Sequence, residues 1–396
     1  MKSKKKFVLA GLVLLATALL LPLTGCETEV NPSTPQQEQT DGNTGNSGGG
    51  NTQQPGGENA GNGGNTSSGG GNTGDGEDEV GGVKPVTYTV TFNANGGTET
   101  MASQIFTEGV AQKLTANGFT NGVKSFVGWA ESADGAVKYA DGEEVTITAS
   151  ITLYARWRVT AAEEYVAVVV EADGSLTSWT DLSDAVSFLN GTKGSTLYAT
   201  KDITAASAFT LHGGDEFTID LNGYATSFGG GTAITVVENS SLTITDGYGG
   251  GKLYNEGNYL ISNYGDLTIL GGTLEVKNLS FGYATISNNA TMTISGGIVT
   301  NNNAHAISTN TPLRLSSNPV VTAGGGFASF GDLYEPINLV GALGTEPYTI
   351  EASMIQDNII VKGVEYTITE EDVKKFSLID GGELTLDAAA NTIIKK

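Results

Sequence analysis

Side chains able to move protons or hold a metal are scarce in this sequence of 396 residues. It has two histidines, His212 and His305, and three arginines, Arg156, Arg158 and Arg314. Its one cysteine, Cys26, rules out an intrachain disulfide framework. Carboxylates are plentiful, 43 acidic residues against 20 basic for a formal net charge of −23, but they are not grouped. Glycoside cleavage needs an acid and a second carboxylate at a set separation, and calcium needs several oxygen ligands together. Asp220 and Asp246 fall in successive repeats one residue out of phase, and later repeats carry Leu270 and Ser295, or Gly271 and Gly296, at those places. Asp215-Glu216 and His212 before Gly213-Gly214 read as turns, His305 starts a strand next to Asn301-Asn302-Asn303, and Glu275 and Lys277 share one strand. The sequence therefore predicts no catalytic residue, no metal and no cofactor. Its acidity repels a phosphate backbone, which argues against a nucleic acid partner.

One enrichment remains. Tyr248, Tyr254, Tyr259, Tyr264, Phe281 and Tyr283 fall within 36 residues. An exposed tyrosine offers a flat apolar face with a polar tip, suited to sugar or protein contact. The five tyrosines are the candidate binding face; the competing reading is aromatic packing that covers the surface.

The elements that position these residues repeat. Glu216-Phe217-Thr218-Ile219, Ser241-Leu242-Thr243-Ile244, Asp266-Leu267-Thr268-Ile269 and Thr291-Met292-Thr293-Ile294 start 25 residues apart, and Pro312-Leu313-Arg314-Leu315 follows after 21. Each alternates, so Phe217/Ile219, Leu242/Ile244, Leu267/Ile269, Met292/Ile294 and Leu313/Leu315 share one face. A second ladder is read at Val236, Ile261, Ile286 and Ile307, and a third at Leu253, Leu274, Val299 and Val320. Asn239, Asn263, Asn288, Asn289 and Asn310, and Gly247, Gly271-Gly272 and Gly296-Gly297, sit at the corners between ladders. Three short strands per rung predict a solenoid whose coils bury their apolar faces only by stacking, about 4.8 Å apart.

Open coil ends need caps. Leu182, Ala185, Val186 and Leu189 lie on one face of a helix read over 179–189 and stopped at Asn190-Gly191, placing an N-terminal cap at about 175–195. Beyond 332 the rhythm loosens into irregular coils and a C-terminal cap, or a separate small β domain. Thr369-Glu370-Glu371-Asp372 starts a short helix by capping-box logic. The helix, then Thr196 to Thr200, then Phe217 to Gly223, resembles the entry of right-handed parallel β-helices of the pectate-lyase-like superfamily. The resemblance spans about 180–330 and implies fold more than activity. Lyases of that superfamily cluster carboxylates around calcium, and its hydrolases set aspartates on neighbouring rungs; no such cluster is present.

Residues 85–158 read as a small β module. Tyr88-Thr89-Val90-Thr91-Phe92 alternates as a half-buried strand, and Asn95-Gly96-Gly97 supplies a turn. Val90-Thr91-Phe92-Asn93-Ala94-Asn95-Gly96-Gly97, Phe126-Val127-Gly128-Trp129 and Ile151-Thr152-Leu153-Tyr154-Ala155-Arg156-Trp157 together resemble the Listeria–Bacteroides, or internalin B-type, repeat. Gly122-Val123-Lys124-Ser125 departs from the Gly-Tyr that usually precedes Phe-x-Gly-Trp. The resemblance implies a compact β-grasp-like module of bacterial surface proteins, without enzymatic activity. Trp129, Tyr154 and Trp157 are read as core rather than as a ligand platform.

Two segments precede the module. Residues 1–26 combine Lys2, Lys4, Lys5 and Lys6 with an apolar run from Phe7 to Leu21, the plan of a secretory signal. Leu23-Thr24-Gly25-Cys26 resembles the bacterial lipobox, which implies cleavage before Cys26 and lipid on its sulfur. Residues 27–84 contain no aromatic residue, Leu, Ile or Met, and read as a disordered Gly/Asn-rich tether. The expected fold class is mainly β, a β-grasp-like module followed by a right-handed parallel β-helix with three strands per coil. The expected role is a surface-exposed lipoprotein of the bacterial cell envelope, held to the membrane through Cys26. There it acts as a non-enzymatic adhesin or as a binding protein for glycan or protein. A polysaccharide lyase or glycoside hydrolase, and a passive coat protein, are the alternatives.

Overall fold

The computed structural model describes residues 84–277, 283–352, 354–355 and 357–396. The signal segment with Cys26, the tether and Phe281 lie outside the described residues.

The module is a four-stranded sheet in the order Gln104–Thr107, Thr87–Asn93, Ile151–Arg158, Ser125–Ala130. The first pairing is antiparallel, the second parallel and the third antiparallel. Alternation turns Val90 and Phe92 inward, where they meet Phe106, Leu114, Leu153 and Trp129. Gly128 sits at φ +137° beside a register shift, and a Cβ there would lie 2.8 Å from the Tyr139 carbonyl oxygen. That steric limit explains the glycine of Phe-x-Gly-Trp. Trp129 is fully buried against Phe92, Phe119 and Phe126, with ring centroids at 4.9, 6.1 and 4.7 Å. Trp157 is also buried and donates its indole N–H to the Ala94 carbonyl at 2.8 Å. Both tryptophans thus serve the core, and Tyr154 is half-buried.

The rest of the described chain is mainly β and winds into a parallel β-helix with three strands per coil. Its three sheets have twelve, eight and six strands. The first ladder stands as read: Phe217/Ile219, Leu242/Ile244, Leu267/Ile269, Met292/Ile294 and Leu313/Leu315 are in register and buried. The other two need correction. Ile234, not Val236, pairs with Ile261, Ile286 and Ile307, because the corner 237–240 is two residues longer than the corner 264–265 of the next coil. Val321, not Val320, follows Val299, because Val321 lies six residues beyond Leu315 where Val299 lies five beyond Ile294.

Val236 instead heads a file that continues through Asn263, Asn288 and Thr309, all fully buried. Asn263 Nδ2 donates to Asn288 Oδ1 at 2.7 Å, and Asn288 Nδ2 donates to Thr309 Oγ1 at 3.0 Å. Asn263 also donates to the Thr291 carbonyl and accepts from the Gly265 N–H. Asn263 thus satisfies backbone groups at the corner, while Asn288 passes the file on to the Thr309 and Thr311 hydroxyls.

Both ends of the stack are closed by reversed strands. Ala167–Val170 pairs antiparallel with Lys193–Ala199, the first parallel strand of the long sheet, and with Leu176–Trp179. The helix runs over Leu182–Leu189, shorter than read because Trp179 ends a strand; Asp181 caps it by accepting from the Ser183 and Asp184 N–H groups. At the other end Thr392–Lys395 pairs antiparallel with Ile359–Gly363. The short helix Glu370–Val373 carries the anticipated capping box between Thr369 and Asp372.

Near this end Tyr348 is fully buried between Phe330 and Phe376 and donates its hydroxyl to the Pro319 carbonyl at 2.8 Å. Burial, with a smaller contribution from the Glu346 charge, pushes its pKa up to about 12. The folded chain keeps a proton that the unfolded chain loses near pH 10, so stability is full below pH 10 and declines as pH rises toward 12. Urea melts between pH 8 and 12 should show this decline in the native protein. Tyr348→Phe is expected to be less stable at pH 8, with a flatter alkaline decline. An equal slope in both would count against the assignment.

Candidate functional site

The carboxylates singled out from the sequence hold corners of the coils. Asp220 Oδ1 accepts from the Asn222 N–H at 2.8 Å and the Gly247 N–H at 2.9 Å. Asp246 accepts from the Gly223 N–H at 2.7 Å and, through its other oxygen, from the Gly251 N–H at 2.6 Å. Each thus ties its own rung to a neighbour through glycine amides. Asp215 is 1% exposed and accepts from the Gly191 and His212 N–H groups at 2.6 and 2.5 Å. Glu216 is exposed and faces Lys193 at 3.8 Å. His305 accepts from the Ala328 N–H at Nδ1, and its Nε2 lies 2.9 Å from Glu351. Arg314 pairs with Glu365 at 3.2 Å. Among the described residues no three His, Cys, Asp or Glu side chains are placed to hold a metal ion.

The five tyrosines separate into three environments. Tyr248 lies under two arginines from the module, Arg158 at 3.8 Å and Arg156 at 5.1 Å from the ring centroid. Tyr254 occupies an outward file of the six-stranded sheet between Ser227 and Glu275, with the Lys277 ammonium 3.5 Å above its ring. Tyr259 and Tyr283 meet edge to face at 5.2 Å and 89°. Burial, then the nearby Tyr283, Asp332 and Tyr264, hold the Tyr259 hydroxyl above its ordinary pKa. Tyr264 is 50% exposed and Tyr283 37%. Tyr259, half-buried, thus pairs with exposed Tyr283, and exposed Tyr264 lies near enough to act on its hydroxyl, while Tyr248 and Tyr254 pack against cations elsewhere.

A joint that the sequence did not announce fixes the module to the first coils. Ile151–Arg158 presents Arg156 and Arg158 at alternate positions, hence on one face of the strand. Arg156 is buried and donates to the Ala133 carbonyl at 2.5 Å and to the Tyr248 carbonyl. Arg158 is stacked between Tyr224 and Tyr248, 4.2 and 3.8 Å from their centroids; guanidinium on aromatic faces is attractive, most of all when desolvated. The chain then passes through buried Val159. Asn222, at φ +51°, accepts from the Val159 N–H at 3.2 Å and donates to the Val159 and Ala199 carbonyls at 2.8 and 2.7 Å. The sequence signal was slight: two of three arginines sit at the end of the module in an acidic chain.

A parallel β-helix carrying a small β module on its first coils is the class of protein these contacts define. Within that class, the model of the Listeria-Bacteroides repeat domain matches residues 88–156, from the first module strand into the strand that bears Arg156 and Arg158. Comparison with curated proteins and with solved structures returns no match.

Proposed function

We propose that the chain is a lipid-anchored protein of the bacterial cell envelope that binds glycan or protein at the cell surface without catalysing a reaction. The aromatic group of half-buried Tyr259 with exposed Tyr264 and Tyr283 carries this reading. The Leu23-Thr24-Gly25-Cys26 motif supports lipid attachment at Cys26, and the composition of 27–84 supports a spacer between membrane and folded chain. The helix-led entry to the first coil supports kinship with the right-handed, pectate-lyase-like β-helices. A lyase or hydrolase is the weaker reading, since Asp246 spends both oxygens, and Asp220 its Oδ1, on backbone amides of the corners.

One adhesion experiment tests the reading. Cells carrying the native chain, Cys26→Ala, or Tyr259→Ala with Tyr264→Ala are applied to immobilised glycans and matrix proteins. Native cells should adhere. Cys26→Ala cells should lose adhesion and shed the chain, and the double-tyrosine cells should keep the chain and adhere less. Equal adhesion by all three would overturn the proposal.

A further inference from the structure

The joint between module and solenoid encloses a cleft of about 280 Å³, lined in part by Asn95, Asn121, Lys124, Asp134, Trp157 and Tyr248. Its size falls just below the roughly 300–1,000 Å³ usual for small-ligand sites, room for one or two sugar rings rather than a chain. Several polar groups at its edge are unspent. Among the described residues Lys124 has no ion-pair partner, its ammonium lying 5.7 Å from the Tyr198 ring centroid, and the Asn121 side chain has no hydrogen-bond partner. Asn95 uses its Nδ2 on the Ala133 and Ala155 carbonyls, which leaves Oδ1 as an acceptor. Among the described residues Asp134 receives a single side-chain hydrogen bond, from Ser132 at 3.3 Å. Arg156, 6% exposed, also lines the cleft and has an unpartnered Nε–H.

We infer that this cleft is a binding site for a neutral saccharide unit, built only when the repeat module is docked on the solenoid. The chemistry follows from what lines it. A sugar hydroxyl both donates and accepts, as does any hydroxyl, and the cleft offers donors on Lys124 and Asn121 opposite acceptors on Asn95 and Asp134. Trp157 and Tyr248 add apolar surface to the lining, although Trp157 is buried in the module core and the Tyr248 ring is stacked on Arg158. Charge selects among ligands: Lys124 and Arg156 are balanced by Asp134 and Asp246, so the lining favours neither an anion nor a cation. The tyrosine group at 259, 264 and 283 shares none of these residues. The inference rests on the reading of the chain as a binding protein and gives it a ligand class and a place.

The test uses the full chain in detergent, titrated calorimetrically with cellotetraose, mannotetraose and chitotetraose as neutral probes and trigalacturonate as an anionic one. Binding of a neutral probe, weakened about tenfold by Lys124→Ala or Asn121→Ala, is expected from the loss of one strong hydrogen bond. Lys124→Gln, which preserves length without charge, substitutes if the alanine variant melts early. Binding of trigalacturonate alone would overturn the ligand class. Neutral binding that survives the Lys124 and Asn121 variants but is lost in Tyr259→Ala with Tyr264→Ala would overturn the cleft and leave the adhesive reading standing. No binding of any probe overturns the cleft, while the adhesion experiment decides the broader reading separately.

Discussion

Trp129→Ala is expected to unfold the repeat module and leave most of the solenoid intact. Trp129 is fully exposure-free at the centre of the module core, touching Phe92, Phe119 and Phe126. Truncating a buried tryptophan costs about 3–5 kcal/mol, close to what a module this small has in total. The solenoid keeps its own stacked core, which shares no buried residue with that of the module. Limited proteolysis should therefore cut within 85–158 first, while hydrogen exchange in the long sheet beyond the second coil stays slow. Trp129→Phe provides the control. The indole N–H of Trp129 has no partner, so phenylalanine removes an unsatisfied donor along with some volume, and the module should remain folded. Native-like protease resistance of Trp129→Ala would show that the core is not organised around this ring.

Much of the solenoid was legible because one strand per coil keeps strict alternation at a fixed period. Glu216, Ser241, Asp266 and Thr291 are in register at intervals of 25 residues. That period is a sum, and corners trade residues within it. The corner 221–224 is two residues shorter than 246–251, and 237–240 is two longer than 264–265. The total is conserved while Val236 moves out of the isoleucine file. A count of residues cannot see such compensation, whereas backbone pairing can. Asn263 and Asn288 were read as corner residues; their burial in a hydrogen-bonded file follows only once coils are stacked.

The site was less legible, for a different reason. Arg156 and Tyr248 are 92 residues apart and belong to different units of the sequence pattern. Periodicity describes each unit by itself and carries no information on how one docks against the other. Tyr248 consequently joined the other tyrosines by proximity in sequence, although in the fold it supports arginines of the module. Tyr259 and Tyr283 came out as a pair because they lie on adjacent coils. The repeat predicts that kind of neighbour.

The second large effect is expected at Asn222, where module, linker and first coils are tied together. Asn222→Ala removes two donated bonds to the Val159 and Ala199 carbonyls and one accepted from the Val159 N–H. Leaving buried polar groups unpaired costs about 1–3 kcal/mol each. Alanine at φ +51° adds about 1–2 kcal/mol of backbone strain. Summed at their lower ends these put the loss at about 4 kcal/mol, read as a lower urea midpoint and as faster exchange at the amides of 159–165. Asn222→Gly keeps the left-handed backbone and loses only the bonds, so the two variants should differ by the strain alone. A double-mutant cycle with Arg158→Ala then asks whether the latch and the stacked guanidinium hold one joint. Both secure the end of the same strand to the same turn: Arg158 stacks on Tyr224, two residues beyond Asn222. Loosening either one frees the other, so the paired loss should fall short of the sum of the single losses. Additive losses would mean that the linker is held without help from the docked module, and that the cleft beside it opens and closes independently of the coil it rests on.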